Sequence, residues 1–155
     1  MTVVFVTGMS GTGKSSALAE LARRGHRVVD TDYGGWIEGE PEPLWREDRI
    51  RELLDEQGDE TLFISGCVAN QGRFYDRFDA VVLLSAPADV LLARVGARIT
   101  NPYGKTAAER DLILEHAADV EPLLRRTCTH ELDATRPLNE VVAELIRIGS
   151  GSARG

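Results

Sequence analysis

Apolar positions follow two rhythms that alternate along the chain. Short, mostly apolar runs stand at 3–7, 27–30, 61–65, 80–85 and 129–133, and runs of that length and composition are strands covered on both faces. Between them the apolar residues are spaced for helices, as in Ala17, Leu18, Leu21 and Ala22. The spacing predicts helices over 13–24 with Gly25 as a stop, 44–56 with Gly58 after it, 87–98, 106–126 with a break near Pro122, and 137–148. Strand and helix in alternation imply an α/β protein, with a parallel sheet, right-handed crossovers and helices on both faces. Ligands of such a sheet bind beyond the carboxyl ends of its strands. No internal repeat or interdomain linker interrupts the pattern, so 1–148 is expected to be one domain, with 149–155 a flexible Gly/Ser tail.

The first strand runs directly into Gly8-Met9-Ser10-Gly11-Thr12-Gly13-Lys14-Ser15, and a helix opens at once. This is G-x-x-x-x-G-K-[ST], a phosphate-binding loop in its proper strand-to-helix context. Glycines let the backbone curl until successive N–H groups point inward, and the helix N-terminus adds partial positive charge. Lys14 is expected to reach the β- and γ-phosphates, and Ser15 to offer its hydroxyl to Mg²⁺. Gly8 to Ser15, with Ser16 beside them, are thus the expected ATP-phosphate site.

Composition removes other classes. At 155 residues the chain can bury a sizeable core, and its net charge of −7 argues against general affinity for nucleic acid or an anionic membrane. No apolar run approaches a membrane span, and the N-terminus enters strand and loop without a signal-like core, so the expected location is cytoplasmic. Cys67 and Cys128 lack metal-site spacing and are expected to be reduced and incidental. His26, His116 and His130 are scattered and read as structural.

After the second strand, Asp30-Thr31-Asp32 puts two carboxylates at i and i+2 beside the phosphate loop. Asp30 would hold Mg²⁺ opposite Ser15, leaving Asp32 to orient or deprotonate an acceptor hydroxyl. The same pair also fits a turn cap followed by a solvated aspartate.

Loop and Asp-x-Asp together resemble the shikimate kinase and gluconate kinase branch of the nucleoside monophosphate kinase-like P-loop kinases. Leu44-Trp45-Arg46-Glu47 is similar to the aromatic-Arg pair that holds the shikimate kinase acceptor, and Ile64-Ser65-Gly66 stands at the glycine-rich acceptor segment. Val81 to Pro87 looks like the fourth strand and its turn, and Leu132 to Leu138 like the adenine-side loop, which makes Arg136 and Pro137 expected ATP contacts. The likeness covers nearly all of 2–148 and implies a three-layer αβα P-loop fold with strand order 2-3-1-4-5.

Arg94 and Arg98 lie four apart on one helix face, and the breakers that follow suggest a short lid at about 99–106. By resemblance to adenylate kinases, Arg94 would flank adenine, Arg98 would touch the transferring phosphate, and Lys105 would arrive on closure. As surface residues both arginines would instead pair with Asp89 and neighbouring acids. Asp32, Trp36, Arg46, Gly66, Asn70 and Arg73 are expected on the acceptor side, with Arg46 the best placed for an anionic group. Trp36 and Trp45 suit either stacking on a ring or packing in the core.

Two departures from the family bear on the acceptor. Glu121-Pro122-Leu123 stands where shikimate kinases carry an arginine for the acceptor carboxylate, and Gly66-Cys67-Val68 replaces their triple glycine. The expected protein is a Mg²⁺- and ATP-dependent kinase, monomer or homodimer, with Lys14, Asp32 and Arg98 as catalytic residues and a small hydroxylated or nucleotide-like acceptor. A nucleoside monophosphate kinase is the alternative, and a slow regulatory ATPase the third.

Overall fold

All five apolar runs form strands, and one parallel sheet takes them all. The computed structural model describes residues 2–9, 11–39, 43–56, 58–97 and 107–150. In chain order they give β1 (Thr2–Thr7), α1 (Lys14–Arg23), β2 (Arg27–Asp30), β3 (Ile37–Glu38), β4 (Leu44–Trp45), α2 (Glu47–Leu54), β5 (Thr61–Ser65), a 3-10 helix (Gln71–Arg77), β6 (Ala80–Ser85), α3 (Ala88–Ala97), α4 (Ala107–Thr127), β7 (His130–Asp133) and α5 (Leu138–Gly149). The sheet order is β2-β5-β1-β6-β7, with β3 and β4 paired antiparallel outside it. Those two short strands were not expected, and numbering them is what separates this order from 2-3-1-4-5.

Each face of the sheet is covered. One face packs Val4, Val6, Phe63, Val82 and Leu84 against Ala17, Leu18 and Leu21 of α1 and Val142, Leu145 and Ile148 of α5. The other packs Val3, Phe5, Leu62, Ile64 and Val81 against Trp45, Ile50, Leu53 and Phe74. Phe5, fully buried, stacks on Phe78 at 4.9 Å between ring centroids and meets the Trp45 ring edge-on at 5.3 Å. Burying such a ring is worth about 3–5 kcal/mol against alanine. The three central strands, β1, β5 and β6, are buried on both faces, and the edge strands β2 and β7 pair against them.

Local signals set most boundaries. Gly13, at φ 92°, opens α1, and Gly25, at φ 91°, ends it, its N–H donating to Ala22 O while His26 N–H reaches back to Leu21 O. Helix α2 starts at Glu47 and not at 44, because Leu44 and Trp45 pair with Glu38 and Ile37. Helix α4 runs unbroken through Pro122. Its ring removes one backbone hydrogen bond, but Ile113 before it and Leu124 after it are both buried, which holds one axis. Gly149, expected in the tail, is the buried last residue of α5, its carbonyl accepting from Thr61 Oγ1 at 3.2 Å. Residues 151–155 and the expected lid at 99–106 lie outside the described residues.

The β3–β4 pair is too short to stand alone. Asn70 serves it as a substitute strand neighbour: Trp45 N–H donates to Asn70 Oδ1 at 3.0 Å, and Asn70 Nδ2 donates to Trp45 O and Glu47 Oε2, each at 3.1 Å. That donation, first among several, holds the Glu47 carboxyl below the usual carboxylate range. Asn70→Ala should therefore lower stability by about 1–3 kcal/mol, read as a fall in the urea midpoint at unchanged slope. A lowered folded-state pKa contributes stability above the ordinary carboxylate pKa that is lost as pH falls. The gap between wild type and variant should accordingly narrow in acid.

Candidate active site

Strands β1, β2, β5, β6 and β7 all point their carboxyl ends the same way, so Thr7, Asp30, Ser65, Ser85 and Asp133 share one edge of the sheet. The phosphate loop leaves β1 there. Gly8 passes so close to β6 that an added Cβ would lie 2.5 Å from Leu84 O, and Gly11 and Gly13 have φ of 90° and 92°, in the left-handed region. Thr12 is buried and ties the loop, its N–H and Oγ1 both donating to Met9 O at 3.3 and 2.9 Å. Met9 anchors from below against Leu83, Leu91 and Leu124. Lys14 Nζ donates to Gly8 O at 2.6 Å and Met9 O at 3.2 Å, so the ammonium lies along the loop's own curve.

The two aspartates divide their work. Ser15 Oγ donates to Asp30 Oδ2 at 2.6 Å, joining α1 to the end of β2. Asp30 Oδ1 accepts the Asp32 N–H at 3.1 Å. Asp32 lines a cavity of about 430 Å³ together with Gly11, Thr12, Gly13, Lys14, Ser15, Ser16, Arg94 and Arg136. Desolvation pushes the Asp32 carboxyl above its ordinary range, the Lys14 charge opposes this, and the Asp30 charge adds to it. Between them sits Thr31, buried, whose N–H and Oγ1 both donate to Ser65 O at 3.0 and 2.7 Å.

Beyond the loop residues, the same cavity has an apolar lining at Ala134, Leu138 and Val141. Ala134 and Leu138 belong to the segment expected as the adenine-side loop, whereas Val141, one turn into α5, was not expected. Leu138 is 44% exposed at the start of α5, just after the Asp133–Arg136 turn. Arg94 bridges the two regions, donating to Gly11 O at 3.3 Å and Ala134 O at 2.6 Å. Arg136 pairs with Glu140 at the rim, and Pro137 caps α5 outside the lining. Ser10, Arg98 and Lys105 lie outside the described residues.

Acceptor-side residues are gathered less tightly. Trp36 is half-buried under the Arg49 guanidinium, 4.3 Å from its ring centroid, and Arg49 also donates to Gly34 O and Gly35 O. Arg46 N–H donates to Trp36 O at 2.7 Å, and its guanidinium pairs with Glu38 at 3.4 Å on the surface. Arg73 pairs with Glu47. Trp45 is a core residue, 1% exposed, with Nε1 donating to Thr31 Oγ1 at 2.9 Å. Gly66 fits against that pair so closely that a Cβ would lie 2.4 Å from Thr31 Oγ1. Asn70 is committed to β4, and a second, shallower cavity of about 600 Å³ beside it is lined by Glu38, Glu47, Asp48, Arg51 and Trp45 among others.

Among the described residues, Ser15 and Asp30 fit a hydrated Mg²⁺. Among the described residues no three His, Cys, Asp or Glu side chains converge as a metal cage, but Mg²⁺ is held by one or two protein oxygens, waters and phosphates. Ser15 Oγ–H donates to Asp30, which leaves the oxygen's lone pairs as acceptors for a cation.

Comparison with known proteins agrees with this geometry. An AAA domain family matches residues 4–115. Shikimate kinase 2 of Yersinia enterocolitica is 29% identical over 165 aligned positions, covering 94% of each chain. A shikimate kinase from Acinetobacter baumannii, solved in complex with shikimate, superposes with a TM-score of 0.65 at 13% identity over 96% of this chain and 92% of that one. A gluconokinase from Sinorhizobium meliloti does so with a TM-score of 0.60 at 22% identity, over 99% and 94%. No helix among the described residues is long and apolar enough to cross a membrane. With phosphate loop, sheet order and matched span in agreement, the chain belongs to the AAA domain family of P-loop proteins.

Proposed function

We propose that the protein is an ATP- and Mg²⁺-dependent kinase that phosphorylates a hydroxyl of a small acceptor. The observation that carries this is the division between the aspartates: Asp30 is engaged by Ser15 and the Asp32 amide, while Asp32 faces the cavity beside Lys14 with a raised pKa. Ala134, Leu138 and Val141, the apolar part of the cavity lining, would form the wall for the base of ATP. Arg94 holds that wall to the loop, and Arg136 stands at its rim. Asp30 and Ser15 would hold Mg²⁺, which would supply neutralisation of the phosphate charge.

In transfer, the acceptor oxygen attacks the γ-phosphorus, the bond to the β,γ-bridging oxygen breaks, and ADP leaves with that electron pair. Asp32 takes the acceptor proton. Lys14 exchanges the loop carbonyls for phosphate oxygens, and Arg98, by its place after α3, adds charge at the transferring group. The relatives are named for kinases of shikimate and gluconate. Shikimate itself fits less well here, because Glu121 stands where a carboxylate-binding arginine is needed, and it already accepts from Arg125 at 2.6 Å. Arg46 and Trp36 are the proposed acceptor contacts, with Gly66 and Arg73 at the edge. Incubation with Mg-ATP and a panel of nucleosides, nucleoside monophosphates, sugars and hydroxy acids should give ADP with one hydroxylated class. If no acceptor raises turnover above hydrolysis, the kinase assignment fails.

Lys14→Ala should cut transfer by about 10²–10³-fold or more while leaving the circular dichroism and unfolding midpoint intact. Asp32→Asn should cost about 10²–10⁴-fold in kcat for a hydroxyl acceptor; a near-normal rate would instead indicate a phosphate acceptor, whose nucleophile is already ionised.

The acid limb of kcat/KM should lie above the ordinary carboxylate range, since Asp32 must be ionised to act and its pKa is raised. Stability runs the other way. A carboxyl with a raised folded-state pKa binds its proton more tightly folded than unfolded, so stability falls as pH rises through that range. Asp32→Asn should thus be as stable as wild type or more so at neutral pH, with the difference vanishing in acid.

A further inference from the structure

Among the described residues five large apolar side chains are well exposed, and three of them, Leu112, Leu114 and Leu123, stand on α4. That helix already has one dry seam. Ile113, Ala117, Val120 and Leu124, spaced 4-3-4, turn inward, where Leu124, Ala117 and Val120 pack on Met9, Leu83 and Leu91. One residue earlier at every position runs a second seam of the same spacing, Leu112, His116, Asp119 and Leu123. At 3.6 residues per turn these four lie within about 60° of one another around the axis, and Leu114 falls on another flank. All four are exposed, Leu112 at 44% and Leu123 at 53%. A 3-4 repeat with leucine at its ends is the pattern by which one helix lies along another.

Turned end for end, this stripe matches itself. A second copy of α4 laid antiparallel, with a twofold axis between 117 and 118, sets Leu112 against Leu123 of the second copy and His116 against its Asp119. The twofold makes each contact occur twice, as in any isologous interface. An apolar layer thus closes each end, and in the middle an imidazole faces a carboxylate to which it can hydrogen-bond. Arg126, exposed at the next seam position, meets the first turn of the second helix, which is acidic through Glu109. A parallel arrangement would instead oppose Asp119 with Asp119, a like-charge pair. Charge complementarity therefore selects both the partner and its direction.

We propose that the chain forms a twofold dimer through this face of α4, with the two helices antiparallel. The seam from 109 to 126 is about 25 Å long at 1.5 Å per residue, and it uses none of the residues that line the cleft cavity. One helix pair is at the small end of specific interfaces, so the dimer is weak, with a Kd on the order of 10–100 μM.

Sedimentation equilibrium of the full chain, from about tenfold below to about tenfold above that Kd, tests this. The weight-average mass of wild type should climb toward twice the chain mass. Leu123→Asp, which spoils both apolar layers, should stay monomeric, with circular dichroism reporting an intact fold. His116→Asp opposes two carboxylates at each central pair and should weaken association about tenfold or more. Combining it with Asp119→His exchanges the two partners and should restore wild-type association. A wild type that remains monomeric throughout overturns the proposal. So does a Leu123→Asp variant that dimerises as wild type does, because the contact then lies on another face. If His116→Asp associates as tightly as wild type, or the exchanged pair as weakly as His116→Asp alone, the antiparallel register is refuted.

Discussion

The site depends on how Thr31 is held. Its side chain is buried between two elements that never pair directly: it donates to Ser65 O on β5 and accepts from Trp45 Nε1 on β4. Gly66, with no room for a Cβ beside Thr31 Oγ1, lets these groups close up. Thr31 also opens a turn that Tyr33 N–H closes by donating to Asp30 O, so fixing Thr31 fixes Asp30 before it and Asp32 after it. One becomes the partner of Ser15 and the other faces the cavity. A single inward hydroxyl thus sets two carboxylates, and through Trp45 it also ties them to the acceptor-side hairpin.

Electrostatics then separates the two carboxylates. Asp30 is satisfied at both oxygens by Ser15 Oγ–H and the Asp32 N–H. Partial desolvation, with the Asp30 charge adding and the Lys14 charge opposing, raises the proton affinity of the Asp32 carboxyl. One carboxylate is hydrogen-bonded at both oxygens and the other faces the cavity with a raised pKa, which suits the roles proposed for them, Asp30 at a cation and Asp32 at a proton. Lys14 serves both sides, since the same ammonium that moderates Asp32 lies along the curve into which phosphates fit.

Legibility in the sequence followed the origin of each constraint. The five strands, α1 and α5 were readable because dry faces demand apolar runs and because glycine marks left-handed turns, as at Gly13 and Gly25. The phosphate loop was readable for the same reason, its geometry being backbone geometry. The hairpin at 37–45 was not. Leu44 and Trp45 carry helix-compatible spacing, and what makes them a strand is Asn70, 25 residues away, lending its amide to the Trp45 backbone. Asn70 therefore looked like a group for the acceptor when it is a group for the chain. Pro122 misled in the opposite direction, its local veto outweighed by burial of Ile113 and Leu124. Thr31 and Ser65 gave no signal, since a buried hydroxyl differs from an exposed one only in its surroundings.

The two halves of the cleft are consequently built from different materials. On the donor side, loop amides, Gly8 against Leu84 O and the Arg94 bridge to Ala134 O are main-chain features or are fixed to main chain. Such a wall changes little when one side chain is replaced. On the acceptor side, Arg46 with Glu38 and Arg73 with Glu47 are surface ion pairs, worth little individually and readily exchanged for a ligand or for each other. Arg49 over Trp36 adds a cation–π contact that closes the turn at Gly34 and Gly35 without fixing what lies beyond it. A fixed phosphate site facing an exchangeable surface lets one chemistry be kept while its acceptor varies, because selectivity on the second wall can change without disturbing Lys14, Ser15, Asp30 or Asp32.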